Sequence, residues 1–184
     1  MRVLNLNIWD DRFDDHLRVI PINLGWRTDG CNVMGRGVAR QAAERYPDLA
    51  AWLGERCRNM DRLGQTHEQP YDIWVPVHDE AKLLFFPTKP LDKIQPHLSW
   101  KQRADLALVA ASLRALTSEV MQTRLRSARL ERCDVVMPLV GCGNGGLDID
   151  DVVPLLKTVT EKRFTLTLPL SIYDELVTHR RLLP

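Results

Sequence analysis

Glycines at fixed spacing are the first residues of this 184-residue chain with an evident chemical use. Gly141-Cys142-Gly143-Asn144-Gly145-Gly146 spells GxGxxG and follows the apolar run Cys133-Asp134-Val135-Val136-Met137-Pro138-Leu139-Val140. Bare backbone at that spacing lets amide N–H groups approach a pyrophosphate at the entrance to a helix. A lone motif of this kind can also be nothing more than a tight turn. Here a second segment, holding Gly25, Gly30, Gly35 and Gly37, also leaves an apolar run and enters a helical one. Two such loops at neighbouring strand ends can clasp one anionic, nucleotide-like ligand. A dinucleotide-binding fold is the rival for the later motif. It places the glycines in its first βα turn with several βαβ units to follow, whereas only 38 residues remain beyond Gly146, and the position argues against it.

The elements that must carry these loops follow from periodicity. Residues 2 to 8 alternate as a strand, and Arg18-Val19-Ile20-Pro21-Ile22 suits a buried one. A helix begins after Gly35-Arg36-Gly37, with apolar positions at Val38, Ala42 and Tyr46, and Pro47 breaks it before a second helix near Asp48. Ile73-Trp74-Val75-Pro76-Val77 and Lys82-Leu83-Leu84-Phe85-Phe86-Pro87 are expected as neighbouring strands around a His78-Asp79-Glu80 turn, the second ending in Thr88 and Lys89. Residues 100 to 126 are expected as one long amphipathic helix with Ser99 as N-cap. After the glycine loop come a helix over 149–159 with Asp148 near its start, a strand over 164–170 and a short helix over 171–181. Strands alternating with helices predict an α/β sheet covered on both faces.

Composition bounds the rest. Apolar residues make up 45% and charged ones 27%, and the length suits one domain over residues 1–184. Lys plus Arg (25) nearly cancels Asp plus Glu (24), so there is no global field for a nucleic-acid backbone. Arg124, Arg126, Arg129 and Arg132, gathered in nine residues, are the leading candidate for a local cationic patch and are read here as a solvated helix face. Cys31, Cys57, Cys133 and Cys142 make no CxxC pair, and no histidine pair has metal-ligand spacing, so no metal and no cofactor are expected. No stretch of eighteen apolar residues occurs and the start lacks a cationic-then-apolar leader, from which a cytoplasmic, reduced chain without a membrane partner is expected.

Five blocks together are similar to one known family: Ile22-Asn23, Val33-Met34-Gly35-Arg36-Gly37-Val38-Ala39, Tyr46-Pro47, Phe86-Pro87-Thr88-Lys89 and Pro138-Leu139-Val140-Gly141-Cys142-Gly143-Asn144-Gly145-Gly146-Leu147. In order and spacing, from about residue 5 to 170, they resemble the landmarks of macrodomains, in particular the branch containing the DarG antitoxin and human terminal ADP-ribose glycohydrolase. The resemblance implies a three-layer α/β/α domain with a six-stranded mixed sheet, ADP-ribose lying across its strand ends. It implies that Asp11, or alternatively Asp10, accepts from the adenine amine. Asn23, Asn32, Val33, Met34, Gly35, Arg36, Gly37 and Thr88 would then line the ligand from one side, and Gly141, Cys142, Gly143, Asn144, Gly145, Gly146 and Leu147 from the other. Asn144 is expected either to bond the ligand or to take a left-handed turn.

The resemblance also implies a catalyst. In the DarG-like branch the lysine ending Phe-x-Thr-Lys lies near the anomeric carbon of the distal ribose, which makes Lys89 the candidate nucleophile toward the opened sugar's carbonyl carbon. The chain departs from the human enzyme at Gly145, where that enzyme carries an acid. It departs again in the first loop, about three residues longer than usual, where Asn32 and Asp29 compete for the place of the family's second asparagine. Residues 90 to 97 also differ from the Trp-Arg-rich stretch common in DarG. The expectation is an ADP-ribosylhydrolase, acting as a monomer, that removes ADP-ribose from a modified DNA base or a protein acidic side chain. A non-catalytic ADP-ribose reader and an ADP-ribose-1″-phosphate phosphatase remain as alternatives.

Overall fold

The computed structural model describes residues 1–62 and 75–178. Six strands form one sheet in the order β1-β6-β5-β2-β4-β3. They are β1 (Arg2–Leu4), β2 (Leu17–Asn23), β3 (Val77–His78), β4 (Leu83–Lys89), β5 (Val135–Pro138) and β6 (Phe164–Thr167). All pairings are parallel except β3 against β4. The expected six-stranded mixed sheet is present, with helices on both faces.

Side-chain alternation assigns the faces. In β2, Leu17 and Val19 join one core cluster and Ile20 and Ile22 another, and in β4 Leu84 and Phe86 oppose Leu83 and Phe85 in the same way. The first face is covered by α3 (Leu106–Leu116), α4 (Glu119–Ser127), α5 (Ile149–Lys157) and α6 (Leu170–Thr178), through Leu113, Leu125, Leu156 and Leu176 among others. The second face is covered by α1 (Gly37–Arg45) and α2 (Leu49–Arg62), through Ala42, Leu49, Leu53 and Cys57. Because both faces are covered, residues 83 to 88 of β4 are all buried, which is why that strand reads as a continuous apolar run.

Several expected boundaries shift. The first strand stops at Leu4, and the chain turns away instead of continuing to Ile8. The β3 strand is two residues long. His78 belongs to it, so the turn into β4 runs over residues 79 to 82, while Ile73 and Trp74 of the expected strand lie outside the described residues. The expected 100–126 helix is three pieces. A 3-10 turn (Pro96–Lys101) ends before Asp105, which caps α3 by accepting from the Leu108 N–H. Ser118 then caps α4 after a break at Thr117. Ser99 is therefore not the cap: it is buried in the 3-10 turn, donating to the Pro96 carbonyl and accepting from the Asp92 N–H. Both later strands are shorter than their apolar runs, α5 ends at Lys157, and the last helix starts at Leu170, its expected end at Arg181 falling outside the described residues. Arg124, Arg126, Arg129 and Arg132 are exposed, as on a solvated face. Among the described residues, no helix is long and apolar enough to cross a membrane.

One detail of the sheet positions the site. The β2–β5 ladder registers Leu17 with Val135 and Arg18 with Val136 and goes no further. Pro21, which has no N–H to give, lies beyond it. The carboxyl ends of β5, β2 and β4 therefore stand side by side on one edge, each released into its own loop, and such edges are where open α/β sheets hold ligands.

Candidate functional site

The loop leaving β2 is fixed by its own side chains. Asn23 is buried, donates from Nδ2 to the Val33 carbonyl (2.8 Å) and accepts the Gly25 N–H at Oδ1 (3.0 Å). Asn32 is 1% exposed and donates from Nδ2 to the carbonyls of Asn23 (2.9 Å) and Gly25 (2.7 Å). Between them, Trp26 and Asn32 bridge in antiparallel fashion, so the extra loop length becomes a small hairpin. Gly54 of α2 lies directly under it: a Cβ there would stand 2.0 Å from the Gly30 carbonyl oxygen and 2.6 Å from the Asn32 nitrogen. Asp29, the rival of Asn32, is exposed and pairs with Arg27 (2.8 Å). Met34 plugs into the core beside Ile20 and Leu53, which leaves Gly35, Arg36 and Gly37 as an exposed crest. A Cβ on Gly35 would meet nothing within 4 Å.

Among the described residues, no side chain caps the first N–H groups of α1 where that crest enters it. Arg36 makes no side-chain cap and the first turn holds no acid. The exposed N-terminus of a helix carries partial positive charge, and this one is left open to an anion.

The loop leaving β5 is built from backbone. Gly141 takes φ +78° so that its carbonyl accepts the Leu147 N–H (3.0 Å), and residues 143 to 145 make one 3-10 turn. Asn144 lies in that turn without a positive φ, so the left-handed role is not its own. Its Nδ2 sits 3.2 Å from where a Cβ of Gly37 would be, which brings the two glycine loops into contact. Two hydrogen bonds from the segment before α3 hold the loop from outside: Ala104 N–H to the Gly145 carbonyl and Arg103 Nε to the Gly146 carbonyl, both 2.8 Å. Gly145 leaves little room for a side chain, because a Cβ there would lie 3.1 Å from that of Ala104. Unlike α1, the helix that follows is capped by Asp148 and carries Asp150 and Asp151 in its first turn.

Lys89 ends β4 beside Asn23, with Leu24 N–H donating to its carbonyl (3.1 Å). Its side chain is half-buried and donates from Nζ to the Trp100 carbonyl at 2.8 Å. Burial, and then the positive charge of Arg36, hold this amine below the ordinary lysine range. Two cations stand near the Trp100 ring, with the Arg36 guanidinium 5.6 Å and the Lys101 ammonium 5.7 Å from its centre. Thr88 is buried and donates its hydroxyl to the Ile22 carbonyl (3.1 Å), a tie across the sheet. Cys142 is no rival nucleophile. Burial pushes its thiol up to about 11, so thiolate is scarce at neutral pH.

The segment before β2 reaches the same edge. Ile8 and Phe13 are buried against Val136, with Val38 of α1 packed on them, and Trp9 Nε1 donates to Gln41 of α1 (2.9 Å). Asp10 caps the 3-10 turn Asp11–Phe13, and its bond to the Arg12 guanidinium (2.7 Å) draws its carboxyl down to about 2. Asp11 is exposed in that turn. Sequence reasoning missed Trp100, Arg103, Ala104 and Gly54. A glycine inside a helical pattern was the available sign for Gly54. Trp100 gave none, since its spacing fitted a helix face. A cavity of about 400 Å³ lies elsewhere, between Arg56, Val77 and Arg124, and includes no residue of these loops.

No family model matches the chain. Among proteins of assigned function it is 30% identical, over 121 residues, to a DNA ADP-ribosyl glycohydrolase of Mycobacterium tuberculosis, covering 65% of this chain and 29% of that one. It is 25% identical over 177 residues to a DNA ADP-ribosyl transferase-DNA ADP-ribosyl glycohydrolase fusion protein of Thermosipho africanus, covering 89% and 40%. The chain thus spans well under half the length of these relatives. Among solved structures it resembles the macrodomain of Thermus aquaticus DarG (TM-score 0.61, 22% identity, 91% of this chain and 97% of that one). It resembles the macrodomain of M. tuberculosis DarG as well (TM-score 0.58, 24%, with 91% and 97% covered). T. africanus DarTG in complex with ADP-ribose is a third such structure (TM-score 0.60, 19%, with 92% and 41% covered). The fold is that of a macrodomain, and the proteins it is similar to are DarG macrodomains and DNA ADP-ribosyl glycohydrolases.

Proposed function

We propose that residues 1–184 form one macrodomain that clasps ADP-ribose between its two glycine loops and removes it from a modified DNA base or a protein acidic side chain, with Lys89 as the nucleophile. The observation that carries this reading is the half-buried Lys89 amine, held by a carbonyl at the strand edge where both loops emerge. In this reading the diphosphate lies against Val33, Gly35, Arg36, Gly37 and the open N-terminus of α1, where free N–H groups and the helix dipole favour an anion. Gly141, Gly143, Asn144 and Gly146 close over it from the other loop. Asn23, Asn32, Met34 and Thr88 shape the bed from beneath, since their side chains are engaged inside the protein. Asp11, exposed in its turn, takes the adenine amine, because the carboxylate of Asp10 is already held by Arg12.

The chemistry balances on the neutral amine. As the distal ribose opens, C1″–O4″ breaks and O4″ takes a proton from solvent, one that imine hydrolysis later returns; the Lys89 lone pair then forms the N–C1″ bond. The acceptor leaves with the C1″–acceptor electron pair and the proton given up by the amine. Water hydrolyses the resulting imine, which frees ADP-ribose and restores Lys89. A lowered lysine pKa enlarges the neutral fraction at neutral pH, so release should rise with pH along a limb below the ordinary lysine range. Free thiols at Cys31, Cys57, Cys133 and Cys142 suit a reducing cytoplasm.

The direct test is incubation with DNA carrying ADP-ribosylated thymidine and with glutamate-linked ADP-ribosyl protein. Release from at least one substrate, lost in Lys89→Ala while ADP-ribose binding persists by calorimetry, is the expected outcome; release from neither would sink the hydrolase. A reader is the second interpretation, favoured by Gly145, which leaves this loop without a carboxylate to act on a lysine-linked intermediate. A reader would show the same binding in wild type and Lys89→Ala with no turnover to lose.

A further inference from the structure

We propose that Trp100 and Arg36 are positioning residues for Lys89: the Trp100 backbone carbonyl aims the amine, and the Trp100 ring seats the Arg36 guanidinium where its charge bears on that amine. The inference rests on the reading of Lys89 as nucleophile, but its test does not require turnover.

Three groups from separate elements converge. Lys89 comes from the end of β4, Arg36 from the crest before α1, and Trp100 from the 3-10 turn ahead of α3. The 2.8 Å bond from Nζ to the Trp100 carbonyl engages one amine proton and so fixes the direction of the remaining valences. Arg36 stands 5.6 Å from the centre of the Trp100 ring, a cation–π seat for an otherwise exposed side chain. Among the described residues no carboxylate bears on Lys89; after burial, the charge of Arg36 is what disfavours its ammonium form. Lys101 lies beside the same ring but does not act on the amine in this way. The 3-10 turn is itself braced, since Ser99 is buried and links Asp92 to Pro96, so the carbonyl that receives Lys89 is held in place.

An anionic ligand on the crest draws on the Arg36 charge, so occupancy of the diphosphate seat and the protonation of Lys89 are linked.

The test is an NMR titration of the Lys89 side chain, assigned by comparison with Lys89→Arg, in the ligand-free protein. Arg36→Gln should raise the titration midpoint and lower the neutral fraction at a given pH by roughly threefold, the scale set by one unit charge acting on a partly solvated amine. Arg36→Lys should keep most of the effect, Lys101→Gln should leave the midpoint in place, and Trp100→Leu, which removes the ring and keeps the carbonyl, should act like Arg36→Gln. If Trp100→Leu fails to fold, Arg36→Gln still decides, because Arg36 is on the surface. An unmoved midpoint in Arg36→Gln, or an equal shift in Lys101→Gln, overturns the proposal. Where turnover is present, the ascending limb of the pH–rate profile should move with the midpoint. Where it is absent, the titration separates failure of this pair from failure of the hydrolase reading.

Discussion

The two glycine loops look alike in sequence and are built on opposite plans. The loop after β2 is a side-chain construction, with Asn23 and Asn32 buried and donating inward and Gly54 pressed against its backbone, and it opens onto a helix with a bare N-terminus. The loop after β5 is a backbone construction, closed by its own carbonyls and held from outside by Arg103 and Ala104, and its helix is already capped by Asp148 with Asp150 and Asp151 behind it. Glycine content therefore does not say which loop offers charge to an anion. Under the proposed function the first would be the fixed, electropositive seat and the second a lip closing over the ligand.

If that contrast is right, the largest effect comes from disturbing what lies under the first loop. Gly54→Ala inserts a Cβ 2.0 Å from the Gly30 carbonyl oxygen, and backbone rather than a flexible side chain must give way. Overpacking of that kind costs about 3 kcal/mol, against the roughly 1 kcal/mol that alanine returns inside a helix. Urea unfolding should show a net loss of about 2 kcal/mol together with weaker ADP-ribose binding, and a stabilised Gly54→Ala would mean that α2 does not brace the loop. Asn32→Ala follows closely. It strands the carbonyls of Asn23 and Gly25 in a buried place, and about 1.5 kcal/mol of stability should be lost in the same measurement.

Gly54 and Asn32 also show where sequence stops being informative. The buried apolar runs of β2 and β4, the break at Pro47 and the helix start at Asp148 were legible because each is a local preference written in neighbouring residues. The one long helix expected over 100–126 failed for the opposite reason. Apolar spacing continued across Thr117 and Ser118, but the caps of Asp105 and Ser118 and the burial of Ser99 interrupt it. The glycine loops and Lys89 were visible as motifs. Its contact with Trp100 was not, because Lys89 meets the backbone carbonyl of that residue, which no residue type advertises.

The third effect separates binding from folding. Gly35 has no positive φ and nothing within 4 Å of its would-be Cβ, so Gly35→Ala should leave the unfolding midpoint unchanged. If the open space over the crest belongs to the diphosphate, the added methyl should weaken ADP-ribose about tenfold, or about 1.4 kcal/mol, by calorimetry. Unchanged affinity would move the ligand off the first loop and remove the asymmetry between the two.

The smallest effect tests whether the second loop is truly a lip. Arg103 is exposed, and its bond to the Gly146 carbonyl crosses from the segment before α3 to the far end of the glycine turn. Removing it in Arg103→Ala leaves a carbonyl that water can reach, so the stability loss should be only about 0.5 kcal/mol. Binding should respond differently according to how the loop is held. If Ala104 N–H on Gly145 and the closure of Leu147 on Gly141 suffice, ADP-ribose affinity should fall no more than about threefold, with amide exchange faster at residues 143 to 146 and unaltered at 23 to 34. A loss as large as that of Gly35→Ala, or exchange that quickens in both loops together, would show that the second loop is as rigidly framed as the first.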